Sequence, residues 1–250
     1  MTRLEIKGFV EASFCDWDGR ISAVAFLPGC NLRCPFCQNG DLLTAPDRLR
    51  SVDFRTLSDY LAKNKDWIDG VVVTGGEPTI WEDLPDLLGR LKALAMPVKL
   101  DTNGTRPRVL EALIAGGLVD YVAMDVKAPL DQRYRAATGG TVDLDAIRES
   151  IRTILSSPAL KDCHEFRTTL VPGIVGEEET VLIAKAIAGA ARYALQQFVP
   201  EHSLDTGLRG AVPYTDDFIL RLVELAKPHV GSCFFRGRAA AALSLKDRRT

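Results

Sequence analysis

The stretch Ile21-Ser22-Ala23-Val24-Ala25-Phe26-Leu27-Pro28-Gly29-Cys30-Asn31-Leu32-Arg33-Cys34-Pro35-Phe36-Cys37 sets the reading of the whole chain. Its first part, Ile21–Leu27, is a short apolar run, the pattern of a buried strand. Its second part holds three cysteines, Cys30, Cys34 and Cys37, at spacings of four and three. No histidine and no fourth cysteine stands beside them. Thiolates grouped in this way hold a soft metal or an iron–sulfur cluster. A structural zinc site normally closes with four protein ligands, and here the fourth is missing. Three cysteines on a cubane cluster leave one iron open to a small molecule.

Composition sets wide bounds. The chain has 250 residues, 46% of them hydrophobic, with a net charge of −2. That is enough apolar material for a sizeable core, and barrels of alternating strand and helix reach this length as one domain. The expectation is a single domain over 1–250, with its core at about 15–235 and a basic tail at 240–250. The charge gives no reason to expect a nucleic-acid binder. Arg3, Glu5, Lys7 and Glu11 interrupt the N-terminus, so it lacks the apolar core of a signal peptide. No apolar run is long enough to span a bilayer. These features predict a cytoplasmic protein without membrane or nucleic-acid partners. Cys15, Cys163 and Cys233 are scattered and read as unbridged and reduced. The last two read as small buried apolar residues.

Strand and helix patterns alternate. The strands are expected at Ile21–Leu27, Gly70–Thr74, Val98–Asp101, Val119–Lys127, Phe166–Val171, Leu195–Val199 and Val230–Phe235. The helices are expected at Phe54–Asn64, Leu84–Leu94, Arg108–Ala115, Leu144–Leu155, Glu177–Ala190 and Asp216–Ala226. Strict alternation predicts parallel strands with right-handed crossovers. The fold class is therefore α/β: a partial, open parallel barrel of about six strand–helix units, with a doubly wound open sheet as the alternative. The chemically unusual residues follow the strands in unit after unit. The cysteine loop, Gly75-Gly76-Glu77-Pro78, Asp101-Thr102-Asn103-Gly104, Asp125-Val126-Lys127 and Pro200-Glu201-His202 all do so. In a parallel barrel these carboxyl ends converge on one face.

Successive side chains of a strand point to opposite faces. Val122, Met124 and Val126 share one face, and Tyr121, Ala123, Asp125 and Lys127 the other. The same parity sets Lys99 and Asp101 against Val98 and Leu100, and Arg167 and Thr169 against Phe166, Thr168 and Leu170. With the apolar faces against the helices, Lys99, Asp101, Asp125, Lys127 and Arg167 line the lumen. Charges there either meet a zwitterionic ligand or pair among themselves.

The cysteine spacing, with the aromatic Phe36 before the third cysteine and Gly75-Gly76-Glu77-Pro78 one unit later, resembles the radical S-adenosylmethionine (SAM) superfamily. The resemblance implies one 4Fe–4S cluster on Cys30, Cys34 and Cys37. It implies that S-adenosylmethionine lies against Phe36, with its amino group at Gly75, Gly76 and Glu77. Asp101 is implied near the ribose and Lys127 at the carboxylate. Arg167 and His202 are implied as further contacts. His202 also has a plainer reading, as a solvated loop residue. Asp101, Thr102 and Asp125 are implied as cofactor contacts that can also hold a monovalent cation. Within the superfamily, Cys37-Gln38-Asn39-Gly40-Asp41-Leu42 resembles activating enzymes of glycyl-radical proteins, with Gln38 in place of the usual histidine. Asp18-Gly19-Arg20-Ile21 resembles a shortened form of a segment found there. Ile21–Gly29 is similar to the longer form that activates anaerobic ribonucleotide reductase. The implied partners are a glycyl-radical enzyme, in first place anaerobic ribonucleotide reductase, and a flavodoxin- or ferredoxin-type electron donor. Two rivals stand. One is a small-molecule radical SAM enzyme like the 7-carboxy-7-deazaguanine synthases. The other is a non-enzymatic metal-binding protein.

The spacing yields a direct prediction. After anaerobic reconstitution, Cys30→Ala, Cys34→Ala and Cys37→Ala lose the cluster, whereas Cys15→Ala, Cys163→Ala and Cys233→Ala keep it. Iron and sulfide content per chain is the measurement.

Overall fold

The computed structural model describes residues 4–237, so the basic tail expected at 240–250 lies outside the described residues. The strands are β1 (Gly8–Ser13), β2 (Ser22–Leu27), β3 (Gly70–Gly75), β4 (Val98–Thr102), β5 (Tyr121–Asp125), β6 (His164–Leu170), β7 (Tyr193–Gln197) and β8 (Cys233–Arg236). They form one sheet of eight strands whose spatial order is the sequence order. Every pairing from β2 to β8 is parallel. A doubly wound sheet reverses direction part-way; this one never does, so the barrel reading holds. Among the described residues no pairing joins β8 back to β1, and the barrel stays open.

The helices are α1 (Gly40–Thr44), α2 (Phe54–Lys63), α3 (Leu84–Ala93), α4 (Pro107–Ala115), α5 (Arg133–Thr138), α6 (Leu144–Ser156), α7 (Glu177–Ala186) and α8 (Asp216–Ala226). Local sequence explains the long ones. Asp143 caps α6 by accepting from the backbone N–H groups of Asp145 and Ala146, at 3.0 and 3.3 Å. Ile147, Ile151 and Ile154 then recur on its buried face. Asp53 caps α2 in the same way, and Leu57 and Leu61 are its buried residues. Val71, Val72 and Val73 of β3 are wholly buried, as expected of a parallel strand covered on both faces. No helix of the described residues is long and apolar enough to cross a membrane.

Three features depart from the sequence reading. β1 was not expected, and it runs antiparallel to β2; as a short edge strand with an exposed Glu11 it carries too few apolar positions to show a period. The short helices α1 and α5 have no full turn of apolar spacing to announce them. Helix α7 stops at Ala186 rather than Ala190, because Gly189 turns with φ of 88° and donates to His229 O at 3.0 Å.

The lumen face is as the parities require, and it reaches further than they did. Lys99, 1% exposed, donates to Asp16 O at 2.5 Å and to Glu165 Oε1 at 3.1 Å. Arg236 of β8 meets both oxygens of Glu165, at 3.2 and 3.0 Å. Asp18 pairs with Arg192 and, at 3.2 Å, with Arg236. The loop after β1 thus plugs the floor of the barrel by ion pairing. Burial alone would raise the Glu165 carboxyl, but Lys99 and Arg236 outweigh it and hold the group at about 2.

A depressed carboxyl stabilises the fold above its ordinary value and loses that contribution as pH falls toward the folded value. Stability from Glu165 is therefore fully present above 4.5 and fades between 4.5 and about 2. Glu165→Gln leaves Lys99 and Arg236 buried without their carboxylate, at a cost of about 3–5 kcal/mol. Chemical unfolding at neutral pH should show that loss, and the variant's stability should change less than wild type across the acid range.

Candidate active site

The cysteine loop leaves the carboxyl end of β2 and is held from several sides. Arg33 N–H donates to Thr138 O at 3.0 Å, Leu204 N–H to Cys37 O at 3.0 Å, and Asp205 N–H to Pro35 O at 2.8 Å. The Arg33 guanidinium closes the loop on itself, donating to Cys30 O at 2.6 Å and Leu32 O at 2.8 Å. Segments from the ends of β5 and β7 therefore hold the loop. Cys30, Cys34 and Cys37 line one cavity of about 1060 Å³. No cysteine of the described residues is bridged. Burial raises all three thiols, and Lys127 is among the groups that pull each of them down.

The glycine motif lines the same cavity and also packs against the cysteine loop. Gly75 has φ of 124°, and a Cβ there would stand 2.3 Å from Leu27 O. A Cβ on Gly76 would stand 1.7 Å from Gly29 O. The close approach these glycines permit is to the root of the cysteine loop. Gly76 N–H donates to Leu27 O at 2.9 Å and Glu77 N–H to Gly29 O at 2.8 Å. Asn39 reaches across to donate to Gly75 O at 2.8 Å.

The Glu77 side chain is 1% exposed and fully engaged. It accepts from Thr79 N–H and Oγ1 at 3.1 and 2.5 Å, Thr102 Oγ1 at 2.8 Å and Asn103 N–H at 2.6 Å. Burial pushes its carboxyl up, and these donors pull it back. This carboxylate is a clasp between the ends of β3 and β4. Thr102 is committed too, since its hydroxyl also accepts from Gly104 N–H at 3.1 Å.

Arg167 sits between two carboxylates, 2.9 Å from Asp101 Oδ2 and 2.8 Å from Asp125 Oδ1. Its guanidinium thus faces both aspartates implied as contacts for a monovalent cation. Lys127 Nζ lies 3.2 Å from Asp125 Oδ2. Burial works against the lysine's charge, but Asp125 and Cys34 outweigh it and keep the group protonated. Asp101 Oδ1 is buried without a hydrogen-bond partner and has only Lys99 Nζ at 3.9 Å. Phe36, buried at 6%, and the half-buried His202 line the same cavity.

The structure thus brings every expected site residue to one end of the barrel. Glu165, Arg236, Asn103 and Asn39 were missed. Glu165 shares its parity with Arg167, and a strand begun two residues earlier reveals it. The other three act through contacts far apart in sequence. Cys163 is exposed, not buried as expected, because it lies in the turn before β6; Cys233 is buried.

The sequence profile of the radical SAM superfamily matches residues 24–183. The chain belongs to the radical SAM superfamily. A protein of Methanocaldococcus jannaschii, provisionally named a glycyl-radical enzyme activating enzyme, is 34% identical over 92% of this chain and 95% of its own length. The pyruvate formate-lyase-activating enzyme of Streptococcus mutans serotype c is 28% identical over 80% of each chain. The 7-carboxy-7-deazaguanine synthase of Neisseria meningitidis serogroup B is 35% identical over 59% of this chain and 61% of its own. In fold, the radical SAM chain resembles the crystal structure of Streptococcus suis SuiB. That likeness has a TM-score of 0.60 at 17% identity and covers 85% of this chain and 48% of the other. The chain spans about half of that protein.

Radical SAM enzymes use a 4Fe–4S cluster and S-adenosylmethionine, and the donor set here fits both. Three unbridged thiols face one cavity beside a lysine, and Asp101 Oδ1 offers an unused buried acceptor for a ligand's donor. Among the described residues no three His, Cys, Asp or Glu side chains stand close enough to share a single metal ion.

The clasp is testable. Glu77→Gln turns an NH₂ toward one of the existing donors and leaves it unsatisfied, costing about 1–3 kcal/mol. The thermal midpoint and the iron retained per chain should fall together. Weaker S-adenosylmethionine binding at unchanged thermal stability would instead mark Glu77 as a ligand.

Proposed function

We propose that this radical SAM enzyme is an activase that takes a hydrogen atom from a backbone glycine of a partner enzyme. The partner we propose is an anaerobic ribonucleoside-triphosphate reductase, with a flavodoxin- or ferredoxin-type protein as electron donor. The observation that carries the reading is the end-to-end match to an activating enzyme, over 95% of that protein's length. The deazaguanine synthase match stops at 61%, although its identity is as high. Such synthases commonly continue with Asp-Thr after the third cysteine, where this chain has Gln38-Asn39.

The roles are those the resemblance implies, and the shared cavity supports them. Cys30, Cys34 and Cys37 hold the cluster. When bound, the reduced cluster would supply the one electron that breaks the C5′–S bond of S-adenosylmethionine, leaving methionine and a 5′-deoxyadenosyl radical to take the glycine hydrogen. Lys127, kept charged by Asp125, receives the cofactor's carboxylate. Asp101 Oδ1 accepts from a ribose hydroxyl. Arg167 holds both aspartates in place, and with Lys127 it keeps the Asp125 carboxyl ionised. The backbone at Gly75–Glu77 faces the amino group, and Phe36 and His202 border the remainder. The cavity's 1060 Å³ sits at the upper end of small-molecule sites. It runs on past the cysteines to Lys7, Arg48 and Arg50 beside β1, leaving room for a partner's loop as well as a cofactor.

Two measurements test this. With dithionite, S-adenosylmethionine and a candidate partner, an electron paramagnetic resonance doublet should appear on the partner. Its splitting should collapse when the partner's glycine is deuterated at Cα. Turnover of a small metabolite with no such signal would favour the second, deazaguanine-synthase-like reading. Lys127→Ala should weaken cofactor binding by about 1.5–3 kcal/mol, the worth of a charge-assisted contact, with iron content unchanged.

A further inference from the structure

We propose that the side-chain amide of Asn103 sets the reduction poise of the cluster by donating an N–H to the Cys30 sulfur. Asn103 Nδ2 lies 3.8 Å from Cys30 Sγ, within reach of a sulfur acceptor. The residue is 5% exposed and stands in the turn after β4. Its backbone N–H is held by Glu77 at 2.6 Å, so the clasp that roots the cysteine loop also fixes this side chain.

The orientation of the amide is determined by its neighbours. Its Oδ1 accepts from Thr105 N–H at 3.0 Å and Thr105 Oγ1 at 2.7 Å. A flipped amide would point its NH₂ at a backbone N–H, which cannot accept. The nitrogen end is therefore turned to Asn31 Oδ1, at 2.9 Å, and to Cys30. Asn31 in turn donates to Thr105 Oγ1 at 2.7 Å, closing a ring of three side chains. Cys30 also receives Leu32 N–H at 3.4 Å.

The turn itself needs only an acceptor two residues before Thr105, which aspartate or serine also provides. The amide nitrogen is what asparagine adds, and it faces a sulfur. Aspartate there would set a negative charge beside a thiolate. Reduction adds a negative charge to a cluster, so an N–H aimed at a ligand sulfur stabilises the reduced form more than the oxidised one. Asn103 touches no substrate in this account; it acts through Cys30, as a positioning residue.

The inference rests on the ligand assignment proposed above and not on the identity of the substrate. Iron retained in Cys30→Ala would sink the ligand assignment, whereas the experiment on Asn103 reads a potential. Asn103→Ser keeps an acceptor for the turn but has no N–H that reaches Cys30, and Asn103→Leu removes both. Each is reconstituted anaerobically, matched to wild type in iron and sulfide, and titrated optically against low-potential dyes without S-adenosylmethionine. At a fixed solution potential the reduced-to-oxidised ratio should fall about tenfold, equivalent to about 59 mV for one electron. Thr105→Val keeps the amide and the backbone N–H that aims it, and should stay within about twofold of wild type, a bound set by that same scale. Asn103→Ser titrating with wild type overturns the proposal. So does a shift of equal size in Thr105→Val, which would make the effect one of turn geometry. If both Asn103 variants fail to hold a full cluster, the residue serves retention and the poise assignment fails.

Discussion

The Glu77 carboxylate locks together the chain segments that leave the neighbouring strands β3 and β4. Through its side chain it gathers Thr79, Thr102 and Asn103, and through its backbone N–H it reaches Gly29 at the root of the cysteine loop. A charge buried at 1% exposure persists only where hydrogen bonds replace water, and four donors do so here. The two glycines before it let the backbone come close enough for this to happen. This satisfied anion anchors the root of the cysteine loop, and the contacts of Arg33, Leu204 and Asp205 hold the remainder.

The charges of the lumen divide into two groups with different tasks. Toward the floor, Lys99, Glu165, Arg236 and Asp18 pair with one another, and the loop after β1 closes over them. That half is the self-paired network weighed against a ligand site from the strand parities. Toward the mouth, the pairing is incomplete. Asp101 keeps one oxygen without a hydrogen-bond partner, and Lys127 keeps a face on the cavity beside the thiols. The self-paired alternative is therefore realised at the floor, while the mouth keeps the unpaired groups that the ligand reading calls for. Arg167 marks the boundary, bonded to Asp101 and Asp125 at once.

An open barrel of this kind keeps its chemistry away from the sheet's free edges. β1 covers one edge of β2, and its antiparallel direction comes from a short connection that cannot make a parallel crossover. The opening between β1 and β8 leaves the cavity continuous from the cysteines to the residues beside β1.

Much of this was determined by the sequence alone. The spacing of Cys30, Cys34 and Cys37, the alternation of strand and helix, and the parity that turns Lys99, Asp101, Asp125, Lys127 and Arg167 inward are local properties. They depend on residues two to four apart, where strand and helix periods act. Only the tertiary structure decided which charges pair. Arg167 bridges two strands, Glu165 answers both Lys99 and Arg236, and Asn103 faces Cys30 across more than seventy positions. It also decided that Gly75 and Gly76 make room for Leu27 and Gly29. The physical reason is the same in each case. A buried polar atom takes whichever partner the sheet register brings within about 3 Å. Register is set by the packing of the whole barrel, and no window of sequence contains it.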